Sequence, residues 1–230
     1  HYYAALGQGR VVGIERDRRI AELARRALAN EPAAQVTVGS ATALPLTGAS
    51  VAGIVMSEVL EHVEDDAAAL REAARVLRPG GSVALTVPHG LYPWLWDPVN
   101  RTRERFGARP VRDGALAGIW AGHLRLYAEA ELKALAEEAG FVVVEVRRFG
   151  RWSWPFAHNL IYGIGKPWLE SGKVPAALAR AVDRRGGEGA SSPSAWRALR
   201  AAFLWPDRYN RDDEGPGVPT VNLAMWLRKR

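Results

Sequence analysis

The 230-residue sequence contains no cysteine. That excludes disulfides, thiolate zinc sites, iron–sulfur clusters and cysteine nucleophiles, and says little about compartment, for which the cytoplasm is the default expectation. No apolar run approaches the roughly 20 residues needed to cross a bilayer. The opening His1-Tyr2-Tyr3 is neither a basic-then-apolar signal nor an initiator methionine, so a missing start is expected. The net charge is +6, but basic residues are scattered and interleaved with acids. Arginine far outnumbers lysine, as genome composition alone can produce, and no nucleic-acid partner is expected. What the chain does have is apolar content, 48% by count, enough to bury one substantial core as a single domain with elaborations.

Strand and helix patterns alternate along the first 150 residues. Arg10 to Glu15 (RVVGIE) is an apolar run ending on an acid, followed by Asp17 and a helical pattern from Arg18 to Ala29. Gln35 to Gly39 and Val51 to Ser57 read as short buried strands, separated by the Ala43-Leu44-Pro45-Leu46 loop. Asp65 to Leu77 has helical spacing and stops at Arg78-Pro79-Gly80-Gly81; Ser82 to Val87 is the next strand. Glu129 to Ala139 is an amphipathic helix and Phe141 to Val146 a strand. This order implies an α/β, doubly wound, mostly parallel sheet with its ligand site beyond the carboxyl ends of the strands, near Glu15, Gly39 to Thr42, Ser57 to His62 and Pro88 to Gly90.

After Gly150 the pattern breaks into an aromatic stretch, helical pieces around Pro175 to Asp183 and Ala195 to Phe203, and a Gly/Ser-rich run from Gly186 to Ser194. Thr220 to Leu227 (TVNLAMWL) suits a final strand beside the one at Phe141. The organisation expected is a core over 1–150, an insertion or cap over 151–218, and a returning strand over 219–230.

An acid at the end of a strand that precedes a helix suits a nucleoside cofactor, because one carboxylate can accept from both ribose hydroxyls. Glu15 fits that role, although a solvated strand end or a dinucleotide site would look alike. Three longer blocks discriminate: SATALPL at 40–46, MSEVLEHVEDDAAALREAARVLRPGGSVALTVP at 56–88 and GHLRLYAEAELKALAEEAGF at 122–141. Together they resemble the successive motifs of class I S-adenosylmethionine-dependent methyltransferases of the methyltransferase domain 11 type, over about residues 1–148. The resemblance implies a Rossmann-like sheet and S-adenosylmethionine as methyl donor. It also implies that a first strand and a G-x-G-x-G loop lie N-terminal to His1, that the absent strand sits between those at Val11 and Val51, and that this stretch alone binds cofactor poorly while the full-length protein binds it.

Carried over by position, the resemblance gives Glu15 the ribose and Arg16 a place near the adenine. Ser40 and Ala41 fall at the adenine edge, where an acidic residue is common in the family, and Ala52-Gly53 stand where an aspartate is common. Tyr2, Ser57, Glu58 and His62 complete the cofactor-binding set. Glu58, Glu61 and His62 also sit at i, i+3 and i+4 of an expected helix. They resemble the block assigned to magnesium in O-methyltransferases of ubiquinone biosynthesis, as Asn100-Arg101-Thr102 does faintly. The alternative is acids that complement a helix dipole. Methyl transfer needs in-line positioning and, for a hydroxyl acceptor, a base, for which His89 and His123 are the candidates beside a purely structural role. Trp94, Trp96, Trp152, Trp154, Trp168, Trp196 and Trp205 suit a small-molecule or lipid-like acceptor pocket, a peripheral membrane contact, or ordinary packing of a cap. The function expected is O- or C-methylation of a small or lipophilic acceptor; the alternative is a degenerate, non-catalytic binding or scaffold domain.

Overall fold

The computed structural model describes residues 9–156, 159, 201 and 204–230. Tyr2, Trp168, Trp196 and the helices expected around Pro175 and Ala195 lie outside them. The chain packs as two units, His1–Leu85 with Ala130–Glu145 and Met225–Arg230, and Thr86–Glu129 with Val146–Ala224.

In the first unit, β1 (Val11–Glu15), α1 (Arg18–Ala27) and β2 (Ala34–Val38) form a βαβ unit whose strands run parallel with Glu15 opposite Val38. Asp17 starts α1 because its carboxylate accepts the orphan N–H groups of Arg19 and Ile20 at 2.7 and 3.0 Å. β3 (Val51–Ser57) leads through a 3-10 turn, Leu60–His62, to α2 (Asp66–Val76), capped by Asp65. Ala69, Leu70, Ala73 and Val76 give α2 one continuous buried face.

β4 spans Leu77–Pro88. It begins earlier than the Ser82 start expected from sequence, because Pro79, Gly80 and Gly81 enter the sheet as a bend. A Cβ on Gly81 would lie 2.9 Å from the Arg78 carbonyl and 3.0 Å from that of Ala52, so only glycine lets the backbones approach there. Beyond the bend the strand alternates, with Val83, Leu85 and Val87 buried.

The remaining elements are α3 (Pro98–Arg105), α4 (Glu129–Glu138), β5 (Phe141–Phe149) and β6 (Asn222–Lys229). Strand order is β3-β4-β6-β5 in one sheet and β1-β2 in another. The expected neighbourhood of the last strand and the strand at Phe141 is therefore observed.

The second unit is held by buried polar groups as much as by apolar ones. Pro98 and Asp97 start α3. The fully buried Asp97 carboxylate accepts from the Asn100 backbone at 3.1 Å, the Asn100 amide at 2.8 Å and the Ile119 N–H at 3.1 Å. Asn100, buried too, accepts from Val111 N–H at 2.7 Å and donates to the Ala117 carbonyl at 2.9 Å. The faint ligand-like reading of Asn100-Arg101-Thr102 is thereby corrected: Asn100 closes the loop after α3.

Candidate functional site

The first unit gathers the cofactor candidates at strand ends. Glu15 closes β1, and one carboxylate oxygen accepts the Asp17 N–H at 2.8 Å, which fixes the side chain on the turn into α1. Arg16 is exposed beside it. Gly39, just after β2, donates its N–H to the Glu15 carbonyl at 3.0 Å. A Cβ there would meet Pro45 at 2.7 Å and Ile14 at 3.0 Å, so glycine is what allows the Ser40 loop to lie against the end of β1. Parallel pairing and this close approach bring Glu15 and the Gly39–Ala41 segment to one edge.

That loop is pinned from below. Arg75 of α2 donates to the Leu46 and Leu44 carbonyls, both at 3.0 Å, and the Glu72 carboxylate accepts from the Leu44 N–H at 2.9 Å. The Arg75 guanidinium hydrogen-bonded to Glu72 lowers the carboxyl's pKa, so Glu72 stays ionised. Ser40 spends its hydroxyl on its own turn, 2.8 Å from the Thr42 hydroxyl and accepting the Thr42 N–H at 3.2 Å. Half-buried Ala41 leaves space and supplies no side-chain donor or acceptor.

The Ser57–His62 block departs from expectation. Ser57 ends β3, but no helix follows it: Glu58 has φ +53°, a left-handed conformation that breaks the chain direction before the short 3-10 turn. The i, i+3, i+4 helical face therefore does not form. Glu61 is fully buried, and neither carboxylate oxygen has a hydrogen-bond partner among the described residues; His62 Nε2 stands 3.7 Å from Oε1. Burial pushes the Glu61 carboxyl up to about 7, with the charge of Glu58 acting in the same direction. Of the expected magnesium set, Glu61 lies beside the His62 imidazole, with the charge of Glu58 near enough to raise its carboxyl. Magnesium prefers an all-oxygen shell, and a set that includes an imidazole nitrogen fits it poorly.

The second unit holds both histidine candidates in structural hydrogen bonds. His89, 5% exposed, places Nδ1 2.9 Å from the Thr220 hydroxyl. Burial lowers its pKa, so the ring is neutral at pH 7. His123 Nδ1 faces the Ile119 carbonyl.

Sequence reasoning missed the strongest electrostatic group here. Arg148 on β5, only 7% exposed, forms a fork with Glu129 at 2.6 and 2.8 Å and reaches Asp213 at 3.3 Å. Two parallel N–H donors matched to one carboxylate are the strong form of an ion pair. Its partners come from residues 19 and 65 positions away, a separation that leaves no local sequence signal.

With this geometry in view, comparison with known proteins shows what the chain is similar to. A family model described as a methyltransferase domain matches residues 1–85. A protein named as a probable S-adenosylmethionine-dependent methyltransferase from Mycolicibacterium smegmatis is 34% identical over 134 residues, 58% of this chain and 44% of its own. Over these stretches the chain is similar to S-adenosylmethionine-dependent methyltransferases. An uncharacterized 37.1 kDa protein in transposon TN4556 of Streptomyces fradiae is 45% identical over 143 residues, 60% of this chain and 38% of its own. The matches thus span less than half of these relatives. A solved SAM-dependent methyltransferase from Thermotoga maritima shares the fold, with TM-score 0.53 at 18% identity over 100% of this chain and 76% of that one. Among the described residues no helix is long and apolar enough to cross a membrane.

Proposed function

We propose that this protein is an S-adenosylmethionine-dependent methyltransferase that binds its cofactor along the carboxyl ends of β1 and β2 and methylates a small or lipophilic acceptor at oxygen or carbon. The observation that carries the reading is Glu15, a carboxylate fixed at the end of β1 by the Asp17 N–H and lying on the same edge as the Gly39–Ala41 loop. Glu15 would take the ribose, Arg16 and Ala41 the adenine surroundings, and Ser57, Glu58 and His62 would border the site from the β3 end. Bound there, the cofactor supplies an activated methyl group, so the protein's own work is chiefly orientation and exclusion of water.

A hydroxyl acceptor would also need its proton removed. His89 is neutral at pH 7 and so has a basic nitrogen, but its burial and its Thr220 contact suit it better to holding the end of β4.

A second reading, a binding or scaffold domain without turnover, has one specific support: the Ser40 hydroxyl is already engaged by Thr42, which leaves the adenine edge short of a strong acceptor. Calorimetric titration of S-adenosylhomocysteine into the full-length protein tests the main reading. Binding weakened at least about tenfold by Glu15→Ala is expected from loss of a charge-assisted hydrogen-bond acceptor; no binding to the unmodified protein would move the assignment to the scaffold reading.

A further inference from the structure

Within the second unit, Trp152, Trp154, Trp205 and Tyr209 line a cavity of about 720 Å³, inside the range of roughly 300–1,000 Å³ typical of small-molecule sites. The rings face one another: Trp154 and Trp205 stack with centroids 6.2 Å apart, and Tyr209 meets Trp205 edge-on at 5.1 Å. The Trp152 backbone is also fixed. Asn210 clamps the Trp152 backbone from both sides, accepting its N–H at 2.6 Å and donating to its carbonyl at 3.0 Å. Yet Trp152, Trp154 and Trp205 each keep 43–45% of their surface exposed, apolar area that an inserted molecule would cover.

Charge narrows the occupant. Arg151 lies over Trp152 at 5.2 Å, and Arg208 lies over both Trp205 and Tyr209, at 4.3 and 4.9 Å. Arg151 and Arg211 line the cavity with a single acid, Glu214, and neither arginine forms a salt bridge among the described residues. Of the two, Arg151 is held by its stacking on Trp152, which leaves its N–H edge available to an anion; Arg208, outside the lining, donates an N–H to the Tyr209 hydroxyl at 2.8 Å and helps hold that ring. We propose that this cavity is a binding site for a flat, apolar molecule carrying one anionic group. A row of outward-facing tryptophans would instead suit a membrane surface, but rings packed face and edge around a cavity suit a discrete ligand.

This site stands on the second unit alone and does not depend on methyl transfer, so its test is run without cofactor and the two readings fail separately. The probes are 8-anilinonaphthalene-1-sulfonate, flat and anionic, and uncharged N-phenyl-1-naphthylamine, titrated into the full-length protein by fluorescence. Saturable one-site binding of the sulfonate is expected. Trp205→Ala should weaken both probes at least about tenfold, as truncation of a buried-anchor aromatic does. The exposed pair Arg151→Gln with Arg211→Gln should weaken only the sulfonate, about tenfold, with an unchanged melting curve that rules out unfolding as the cause. Equal affinity of the sulfonate for the original protein and the double arginine variant would overturn the proposal. So would co-sedimentation with phosphatidylglycerol vesicles that displaces the sulfonate, since the surface would then be serving a bilayer.

Discussion

The β1–α1–β2 unit and the four-stranded sheet are built from similar apolar residues and differ in how deeply those residues are buried. In the first, Val12 is 40% exposed, Ile20 49% and Leu23 53%, and Ala21 is the one fully buried residue of α1. In the second, Val83, Leu85 and Val87 of β4 and Leu223, Met225 and Leu227 of β6 are at 0–2%. Among the described residues apolar burial is therefore concentrated along β4 and β6, while it is sparse around the segment that carries Glu15. A binding site drawn from the less stable part of a fold is one whose order a ligand can raise.

The largest expected effect lies in the buried core of β4: Leu85→Ala should cost about 3 kcal/mol through lost burial and a residual cavity, whereas Leu23→Ala on α1 should cost well under about 1 kcal/mol, both measured by urea denaturation. Arg148→Met leaves the partly exposed Glu129 and Asp213 without their cation and should lower unfolding free energy by about 2 kcal/mol. Equal losses at Leu85 and Leu23 would break the contrast between the two regions.

Glu61 gives a pH-dependent effect. Its folded-state pKa, about 7, lies above its ordinary 4.5, so the folded protein holds a proton that the unfolded chain has released. The site's contribution to stability is fully present below pH 4.5 and lost as pH rises through 7, by up to roughly 3 kcal/mol. Glu61→Gln keeps the uncharged form at every pH. It should melt at nearly the same temperature as the original protein at pH 5 and at a higher one at pH 8.

Much of this arrangement was legible in the sequence, and the exceptions have physical causes. Apolar runs bounded by turn residues located all the strands, and Asp17 marked the start of α1, because these signals are local. The placing of Glu15 and Gly39 to Thr42 together at the carboxyl ends of their strands followed from βαβ order. Glu58 was misread because nothing in the run SEVLEHV distinguishes a helix from a left-handed break followed by a single 3-10 turn. α3 went unread since its eight residues, PVNRTRER, carry almost no apolar periodicity; it is held by the Asp97–Asn100 contacts instead. The Arg148 fork and the Trp152–Trp205 cavity join residues far apart in the chain, and only the fold brings them together.

Hydrogen exchange on the full-length protein, with and without saturating S-adenosylhomocysteine, tests the central claim most directly. If the cofactor lies on the carboxyl ends of β1 and β2, amides over residues 11–41 gain protection on binding and those of α3, 98–105, do not. Protection confined to α3 and the aromatic cavity, with residues 11–41 unchanged, would contradict the assignment of Glu15 and its loop as the cofactor site.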